Sequence, residues 1–238
     1  MNRLVLWNID QTLVDVTTVN RVAYAEAFER ATGRPLMRLA PTAGRTESEL
    51  FHEFTARNRV EATEPMLAVY IEALADAFAR QGKMLRERGR VLPGAAAAVE
   101  AVGRLQGTVQ SVLTGGIRPN AVAKLRAFGL DGALDLGIGG YGSEVYPKAT
   151  LLQVARNRAR EKYGQPFDET NTVYVGDSPR DVEAAQFGGA ASVAVAGSAT
   201  TLSQLREAGA DVLLEDLTDT GGLVRAIERL TSPQRTGH

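Results

Sequence analysis

Cysteine is absent from the 238 residues, and histidine occurs only at His52 and His238. The lack of cysteine excludes disulfides, thiolate metal sites and thiol-based catalysis. Two histidines argue against a multi-histidine zinc site. A Ser-His-Asp triad would have to depend on His52, because His238 is the last residue of the chain. Any chemistry therefore has to come mainly from carboxylates, hydroxyls, amides, lysine and arginine.

The chain also lacks long apolar runs and an excess of one charge. No stretch approaches the ~20 apolar residues of a membrane-spanning helix, and the N-terminal run is too short for a signal peptide. The net charge is −1, so no basic surplus indicates binding to nucleic acid or to a membrane surface. With 44% hydrophobic and 23% charged residues, the composition is typical of a globular protein. We expect a cytoplasmic protein without nucleic-acid or membrane partners.

Apolar periodicity divides the chain into two kinds of segment. Leu4 to Ile9 is a short, β-prone run that predicts a strand. From about Val19 to Gly89 apolar residues recur at every third or fourth position, which predicts helices and no strand. From Val91 onwards, predicted helices alternate with predicted strands, which are VQSVLT (109–114), ALDLGI (133–138), NTVYVG (171–176), ASVAVAG (191–197) and DVLLE (211–215).

This alternation is typical of the α/β class, with a doubly wound, Rossmann-like parallel sheet and helices on both faces. A helical insert interrupts that core just after its first strand. We predict a core domain formed by residues 1–16 and 91–232, an inserted α-helical domain at 17–90, and a tail at 233–238. In such sheets, ligands bind beyond the carboxyl ends of the strands.

Polar residues stand at four of these strand ends and helix starts. They are Asn8, Asp10 and Thr12 after the first strand, Thr114, Gly115 and Gly116 after the 109–114 strand, Lys148 at a helix start, and Asp177 and Asp181 after the 171–176 strand. Each group alone has a structural explanation, such as a helix cap, a turn residue or a solvated lysine. In a doubly wound sheet all four would converge on one crevice, which chance does not readily explain.

The order of these residues resembles the four motifs of the haloacid dehalogenase superfamily. That pattern is D-x-D-x-T-L, then a hydroxyl residue before glycine, then Lys or Arg, then G-D-x-x-x-D. The match runs from residue 8 to residue 181, and the combination is highly specific. It implies a phosphatase that hydrolyses a small phosphorylated metabolite through an aspartyl-phosphate intermediate, with Mg²⁺ as cofactor. In this superfamily the helical insert is a cap over the active site.

The resemblance also implies roles for individual residues. Mg²⁺ would be held by the side chain at position 8, the backbone carbonyl of Asp10, and Asp177, with Asp181 in or near the metal shell. Asp10 would protonate the leaving oxygen and then deprotonate the attacking water. The residues expected to bind and neutralise the phosphoryl group are Thr114, Gly115, Gly116 and Lys148.

The chain departs from the pattern at Asn8, where the superfamily has the nucleophilic aspartate. A carboxamide oxygen is a very poor nucleophile, and losing a catalytic nucleophile costs about 10⁴ to 10⁶ in rate. We therefore expect this chain to bind substrate and hardly turn it over. An engineered change, a natural pseudoenzyme that binds a phosphorylated ligand, and a sequence error would each explain Asn8. The survival of the other motif residues favours the first. A phosphomutase is a further alternative.

Two arginines are candidate substrate contacts. The segment PTAGRTESEL contains a capping box, with Thr46 as the N-cap and Glu49 three residues later. The capping box does not explain Arg45. The Gly-Arg-Thr segment that contains it resembles a loop of phosphoglycolate-phosphatase-like relatives. Arg118, just after Gly116, is the second candidate.

Three other features have structural interpretations. We expect His52 to pack within the insert and Trp7 to lie in the core. Residues 137–142 match G-x-G-x-x-G, but no helix opens there, so we interpret them as a flexible turn before Lys148. The alanine-rich helices are compatible with a monomer or a weak homodimer.

Overall fold

The computed structural model describes residues 2–144, 147–197 and 200–232. The strands are β1 (Arg3–Trp7), β2 (Val14–Asp15), β3 (Arg90–Val91), β4 (Thr108–Thr114), β5 (Gly140–Tyr141), β6 (Thr172–Gly176), β7 (Ala191–Val195) and β8 (Val212–Leu214). The helices are α1 (Thr17–Thr32), α2 (Glu47–Arg57), α3 (Glu64–Arg80), α4 (Gly82–Arg88), α5 (Ala95–Gly103), α6 (Arg118–Ala127), α7 (Lys148–Tyr163), α8 (Pro179–Phe187), α9 (Leu202–Glu207) and α10 (Thr220–Leu230). The predicted tail, 233–238, lies outside the described residues.

Six of the described strands form one parallel sheet in the order β5-β4-β1-β6-β7-β8. β1 lies in the middle, where Trp7 pairs with Val112 of β4 and Val175 of β6. Its side chains from Leu4 to Trp7 are fully buried, as expected for a strand covered on both faces. The carboxyl ends of β1, β4 and β6 are therefore neighbours, and the residues that follow them meet at one edge of the sheet. This confirms the predicted α/β class.

Helices α1 to α4 form a helical insert between β2 and β3. These two short strands pair antiparallel, so the chain leaves the sheet domain and returns to it at adjacent points. An ion pair of 2.7 Å between Arg90 and Asp15 joins the same two strands. Inside the insert, α1 packs along α3 around large buried side chains such as Phe28, Phe54 and Phe78. Fully burying one such side chain stabilises a fold by about 1.5–3 kcal/mol.

Two sequence expectations about local structure are wrong. The segment 133–138 is not a strand, because a 3₁₀ turn at Asp131–Ala133 comes first and the edge strand β5 forms later, at Gly140–Tyr141. A side chain on Gly140 would lie 2.8 Å from the carbonyl oxygen of Leu151, so close packing against α7 requires glycine at this position of the strand. The predicted flexible turn at 137–142 is therefore partly a strand of the sheet.

No helix within 2–144, 147–197 and 200–232 is long and apolar enough to cross a membrane. Trp7 is fully buried in the core as predicted, and its Nε1 donates to Oε1 of Gln110 at 2.9 Å. His52 was expected to pack within the insert, but it lies on the exposed side of α2, because Phe51 and Phe54 take the buried positions of that helix.

Candidate active site

A cavity of about 360 Å³ lies between the carboxyl edge of the sheet and the helical insert. The sheet domain contributes residues that follow three different strands, and the insert contributes residues from α1, α2 and the loop before α2. The predicted site residues that line it are Asn8, Asp10, Arg45, Thr114, Gly115, Gly116, Lys148 and Asp177.

Asn8 is buried at the centre of this cluster. Its Nδ2 donates to the backbone oxygen of Asp10 at 2.9 Å, to Oδ1 of Asp177 at 2.8 Å, and to Oγ1 of Thr12 at 3.2 Å. The side-chain amide therefore bridges two oxygens that the resemblance assigns to a metal ion. An aspartate at position 8 could not donate these bonds, so its charge would face the other two oxygens without a donor between them.

Asp177 is almost fully buried beside Asn8. Its Oδ1 also accepts a hydrogen bond of 2.7 Å from Thr12, which fixes the carboxyl group. Burial and then the negative charge of Asp181 raise the pKa of Asp177 well above its ordinary value. A cation beside this carboxyl group would reverse that shift, because it would favour the charged form.

Asp181 and Lys148 form a buried ion pair with 2.6 Å between Nζ and Oδ1. Oδ1 of Asp181 also accepts from Tyr174, and Oδ2 accepts from Ser178, where the two residues form the capping box of α8. Burial alone would raise the pKa of Asp181, but the charge and hydrogen bond of Lys148 lower it. Both oxygens of Asp181 are engaged in these contacts, and Asp181 does not line the cavity, so its place in or near the metal shell stays a prediction.

Asp10 faces the insert, and its carboxylate is held from two sides. Nζ of Lys124 lies 2.9 Å from Oδ1 and 2.7 Å from Oδ2, and Nδ2 of Asn20 donates to Oδ1 at 3.2 Å. Lys124 is almost fully buried on α6, and its Nζ also lies 5.3 Å from the ring centre of Phe78 on α3. One lysine thus connects the sheet domain, the candidate acid-base residue and the insert.

The loop after β4 fits closely against the insert. Oγ1 of Thr114 accepts a hydrogen bond of 3.1 Å from the amide of Gly116, which closes a tight turn. The carbonyl of Gly115 accepts from the amide of Glu47 at 2.9 Å. A side chain on Gly115 would come within 1.8 Å of the carbonyl oxygen of Arg45, so this approach requires glycine.

The two candidate arginines have different surroundings. Arg45 lines the cavity, while its guanidinium donates to the carbonyl of Pro41 at 2.7 Å and lies 3.9 Å from Glu53. Arg118 is exposed and lies over the ring of Tyr141 at 5.9 Å, away from the cavity wall. The structure therefore brings Arg45 to the cavity and does not bring Arg118 there.

A comparison with protein families gives the identity of the fold. The family of haloacid dehalogenase-like hydrolases matches residues 5–186, which is more than half of the chain. The chain belongs to the haloacid dehalogenase-like hydrolases. No match was found among curated protein sequences.

Solved structures of other haloacid dehalogenase-like hydrolases share the fold. CbbY from Rhodobacter sphaeroides in complex with phosphate is 22% identical, with a TM-score of 0.69 over 93% of this chain and 97% of that one. An aspartate-to-asparagine mutant of CbbY in complex with xylulose-(1,5)bisphosphate is 21% identical, with a TM-score of 0.67 over 92% and 96%. A predicted phosphoglycolate phosphatase from Haemophilus somnus 129PT is 18% identical, with a TM-score of 0.62 over 93% and 97%.

Sequence reasoning missed three residues at the site of this haloacid dehalogenase-like hydrolase. They are Lys124 beside Asp10, and Glu47 and Tyr24 on the insert side of the cavity. Lys124 had a detectable signal, because it stands on the same face of α6 as the buried Ala121 and Leu125, where a solvated lysine is not expected. Glu47 had none, since an acidic residue in the first turn of a helix is ordinary.

Proposed function

We propose that the protein is a Mg²⁺-dependent phosphatase of small phosphate monoesters whose nucleophile position holds asparagine. The observation that carries this proposal is the convergence of Asp10, Thr114, Lys148 and Asp177 around the carboxamide of Asn8 in one cavity. Family membership supports phosphate hydrolysis in general terms. With Asn8 in place of aspartate, the chain would bind its substrate and turn it over very slowly.

The oxygens around Asn8 suit a hard divalent cation. Asp177 supplies a carboxylate, Asp10 a backbone carbonyl, and a half-turn of the Asn8 side chain would present Oδ1 where Nδ2 now donates. These three groups would hold Mg²⁺. The ion would supply positive charge against the phosphoryl oxygens. The described part of the chain contains no cluster of three or more His, Cys, Asp or Glu side chains fit for a metal, so the carbonyl and position 8 are needed to complete the set.

The protein's own groups would bind the phosphoryl oxygens. Lys148 is buried at the cavity wall, and its ion pair with Asp181 holds the ammonium group in place. The hydroxyl of Thr114 and the backbone N–H of Gly115 would provide neutral donors. Donors fixed in advance stabilise developing charge without having to reorganise during the reaction.

Asp10 would transfer the protons of the reaction, to the leaving oxygen and from the attacking water. Its carboxylate lies on the insert side of the cavity, where the leaving group of a bound monoester would be. We assign it the role of general acid for the leaving oxygen and of general base for the attacking water. Residues 17–90 would act as the cap that excludes water from this step.

Other functions on the same fold make different predictions. A natural phospholigand-binding protein would gain no activity when position 8 is restored to aspartate. A phosphomutase would transfer the phosphoryl group to a second sugar phosphate instead of to water. The CbbY mutant with its bisphosphate supports ligand binding by an asparagine-containing relative.

Calorimetric titration with inorganic phosphate tests the binding part of the proposal. We expect saturable binding in the presence of Mg²⁺, and weaker binding by Lys148→Met. Lys162→Met, on the exposed end of the same helix, is the matched control and should bind phosphate like the parent chain. Absence of phosphate binding by the parent chain, or equal affinity in Lys148→Met, would contradict the proposed site.

A further inference from the structure

The insert side of the cavity contains a carboxyl group that the proposed phosphate chemistry does not use. Glu47, the first residue of α2, lines the cavity and is only 5% exposed. Its Oε1 accepts a long hydrogen bond of 3.4 Å from the hydroxyl of Tyr24. Among the described residues, Oε2 has no hydrogen-bond partner. Leaving a buried polar atom without a partner costs about 1–3 kcal/mol, so such atoms call for an explanation.

A second buried polar atom lies next to this carboxyl group. The hydroxyl of Tyr70, on α3, is fully buried and faces the Glu47 carboxyl group, but it makes no hydrogen bond of full geometry within the described part of the chain. Burial raises the pKa of Tyr70 well above its ordinary value, and the negative charge of the neighbouring Glu47 raises this pKa further. The ring of Tyr70 packs on Phe51 at 5.1 Å, and that of Tyr24 on Phe54 at 5.5 Å. Both hydroxyl groups are therefore held in fixed positions.

The charges around the cavity favour a neutral polar ligand group over a cation. Arg21, Arg45 and Lys148 line the same cavity, and Lys124 lies beside Asp10. These cations would repel an ammonium group. Burial also raises the pKa of Glu47 to about 8, although the charge of Lys124 opposes this shift. A neutral carboxyl group both donates and accepts hydrogen bonds, as a hydroxyl ligand requires.

We propose that Glu47, Tyr24 and Tyr70 form a subsite that binds hydroxyl groups on the leaving-group part of the substrate. The substrate class is then a polyol or sugar phosphate, rather than an alkyl, aryl or aminoalkyl phosphate. Glu47 and Tyr24 contact the ligand from the cavity wall, and Tyr70 positions the carboxyl group from behind. The inference rests on the proposed function, because the bound phosphate places the hydroxyl groups opposite Glu47.

Binding of matched phosphate esters tests this subsite on the chain as it stands. Calorimetry in the presence of Mg²⁺ compares glycerol 1-phosphate with n-propyl phosphate, which has the same carbon chain without the two hydroxyl groups. Ethanolamine phosphate and inorganic phosphate complete the set of probes. We expect about a tenfold preference for glycerol 1-phosphate over n-propyl phosphate, as one or two hydrogen bonds provide.

Variants separate recognition from folding. Glu47→Met, of similar volume, should lose the preference while keeping the affinity for inorganic phosphate, which also shows that it is folded. Glu47→Gln, which still forms hydrogen bonds, should keep most of the preference. Glu72→Met, on the exposed side of α3, is the control and should match the parent chain.

The outcomes distinguish the two levels of the proposal. A preference that is absent in the parent chain, persists in Glu47→Met or favours ethanolamine phosphate would overturn the hydroxyl subsite while leaving the phosphate site intact. Failure of inorganic phosphate to bind to the parent chain would instead overturn the proposed function itself.

Discussion

The ammonium group of Lys124 contacts both carboxylate oxygens of Asp10, at 2.9 Å and 2.7 Å. This ion pair, together with the hydrogen bond that Asn20 of the insert donates to Oδ1, fixes the position of the carboxylate. Lys124 is therefore a positioning residue for the group to which we assign proton transfer.

Removing this lysine should impair turnover more than binding. In an Asn8→Asp background, we expect Lys124→Met to lower kcat about a hundredfold, because a misplaced acid-base group loses its alignment with the reacting atoms. Steady-state kinetics should show a much smaller change in KM. Lys83→Met, on the exposed surface of α4, is the matched control. An unchanged kcat would refute the positioning role.

Restoring aspartate at position 8 should make folding stability depend on Mg²⁺. The change replaces three donated hydrogen bonds with a negative charge beside Asp177 and the carbonyl of Asp10. We expect Asn8→Asp to lose about 1–3 kcal/mol of stability without metal, and millimolar Mg²⁺ to restore it. Thermal unfolding with and without Mg²⁺ measures both effects. Asn157→Asp, on the exposed face of α7, should show neither of them.

The buried carboxyl group of Glu47 should make stability fall as the pH rises. Burial raises the pKa of Glu47 to about 8, although Lys124 opposes this, whereas in the unfolded chain the group has its ordinary pKa of 4.5. Between these values the folded state holds a proton that the unfolded state has released, so stability decreases with increasing pH.

Denaturant unfolding of Glu47→Gln and of the parent chain at pH 5 and pH 8 tests the direction of this change in stability. The amide cannot ionise, so the variant should gain stability relative to the parent chain by roughly 2 kcal/mol or more between pH 5 and pH 8. Glu72→Gln should follow the parent chain at both pH values. A constant difference between Glu47→Gln and the parent would show that Glu47 ionises normally.

The close approach between the loop after β4, at Gly115, and the insert should not tolerate a side chain. In Gly115→Ala the new methyl group would lie 1.8 Å from the carbonyl oxygen of Arg45. We expect a loss of about 2 kcal/mol of stability together with weaker phosphate binding, since the loop must move. Gly132→Ala meets nothing within 4 Å and is the control. Equal stability and phosphate affinity for the two variants would contradict this packing.

The parallel sheet could be predicted because its strands are continuous apolar runs, as in VQSVLT and NTVYVG. The order of Asn8, Thr114, Lys148 and Asp177 along the chain was then enough to predict that they converge. The edge strand at Gly140–Tyr141 could not be predicted from its residues. Its glycine, Gly140, is required by packing against Leu151 of α7, and local sequence does not reveal that contact.

Most of the residues that the insert contributes to the site could not be predicted from the sequence. Glu47 and Tyr24 come from different helices, and only the packing of α1 against α2 and α3 brings them to one cavity. The spacing after Asp177 predicts Asp181 in or near the metal shell. Its pairing with Lys148 could not be predicted from that spacing, because it depends on how α7 and α8 lie beside each other.

The central claim is that this chain is a phosphatase with its nucleophile replaced. Its most direct test is the hydrolysis of p-nitrophenyl phosphate with Mg²⁺ by the parent chain and by Asn8→Asp. We predict an increase in kcat of about 10⁴ to 10⁶ on restoring aspartate, with trapping of an acid-stable, base-labile phosphoryl-enzyme. A variant that remains as inactive as the parent chain across aryl, polyol and sugar phosphates, while binding Mg²⁺ and phosphate, would contradict the claim and identify a phospholigand-binding protein.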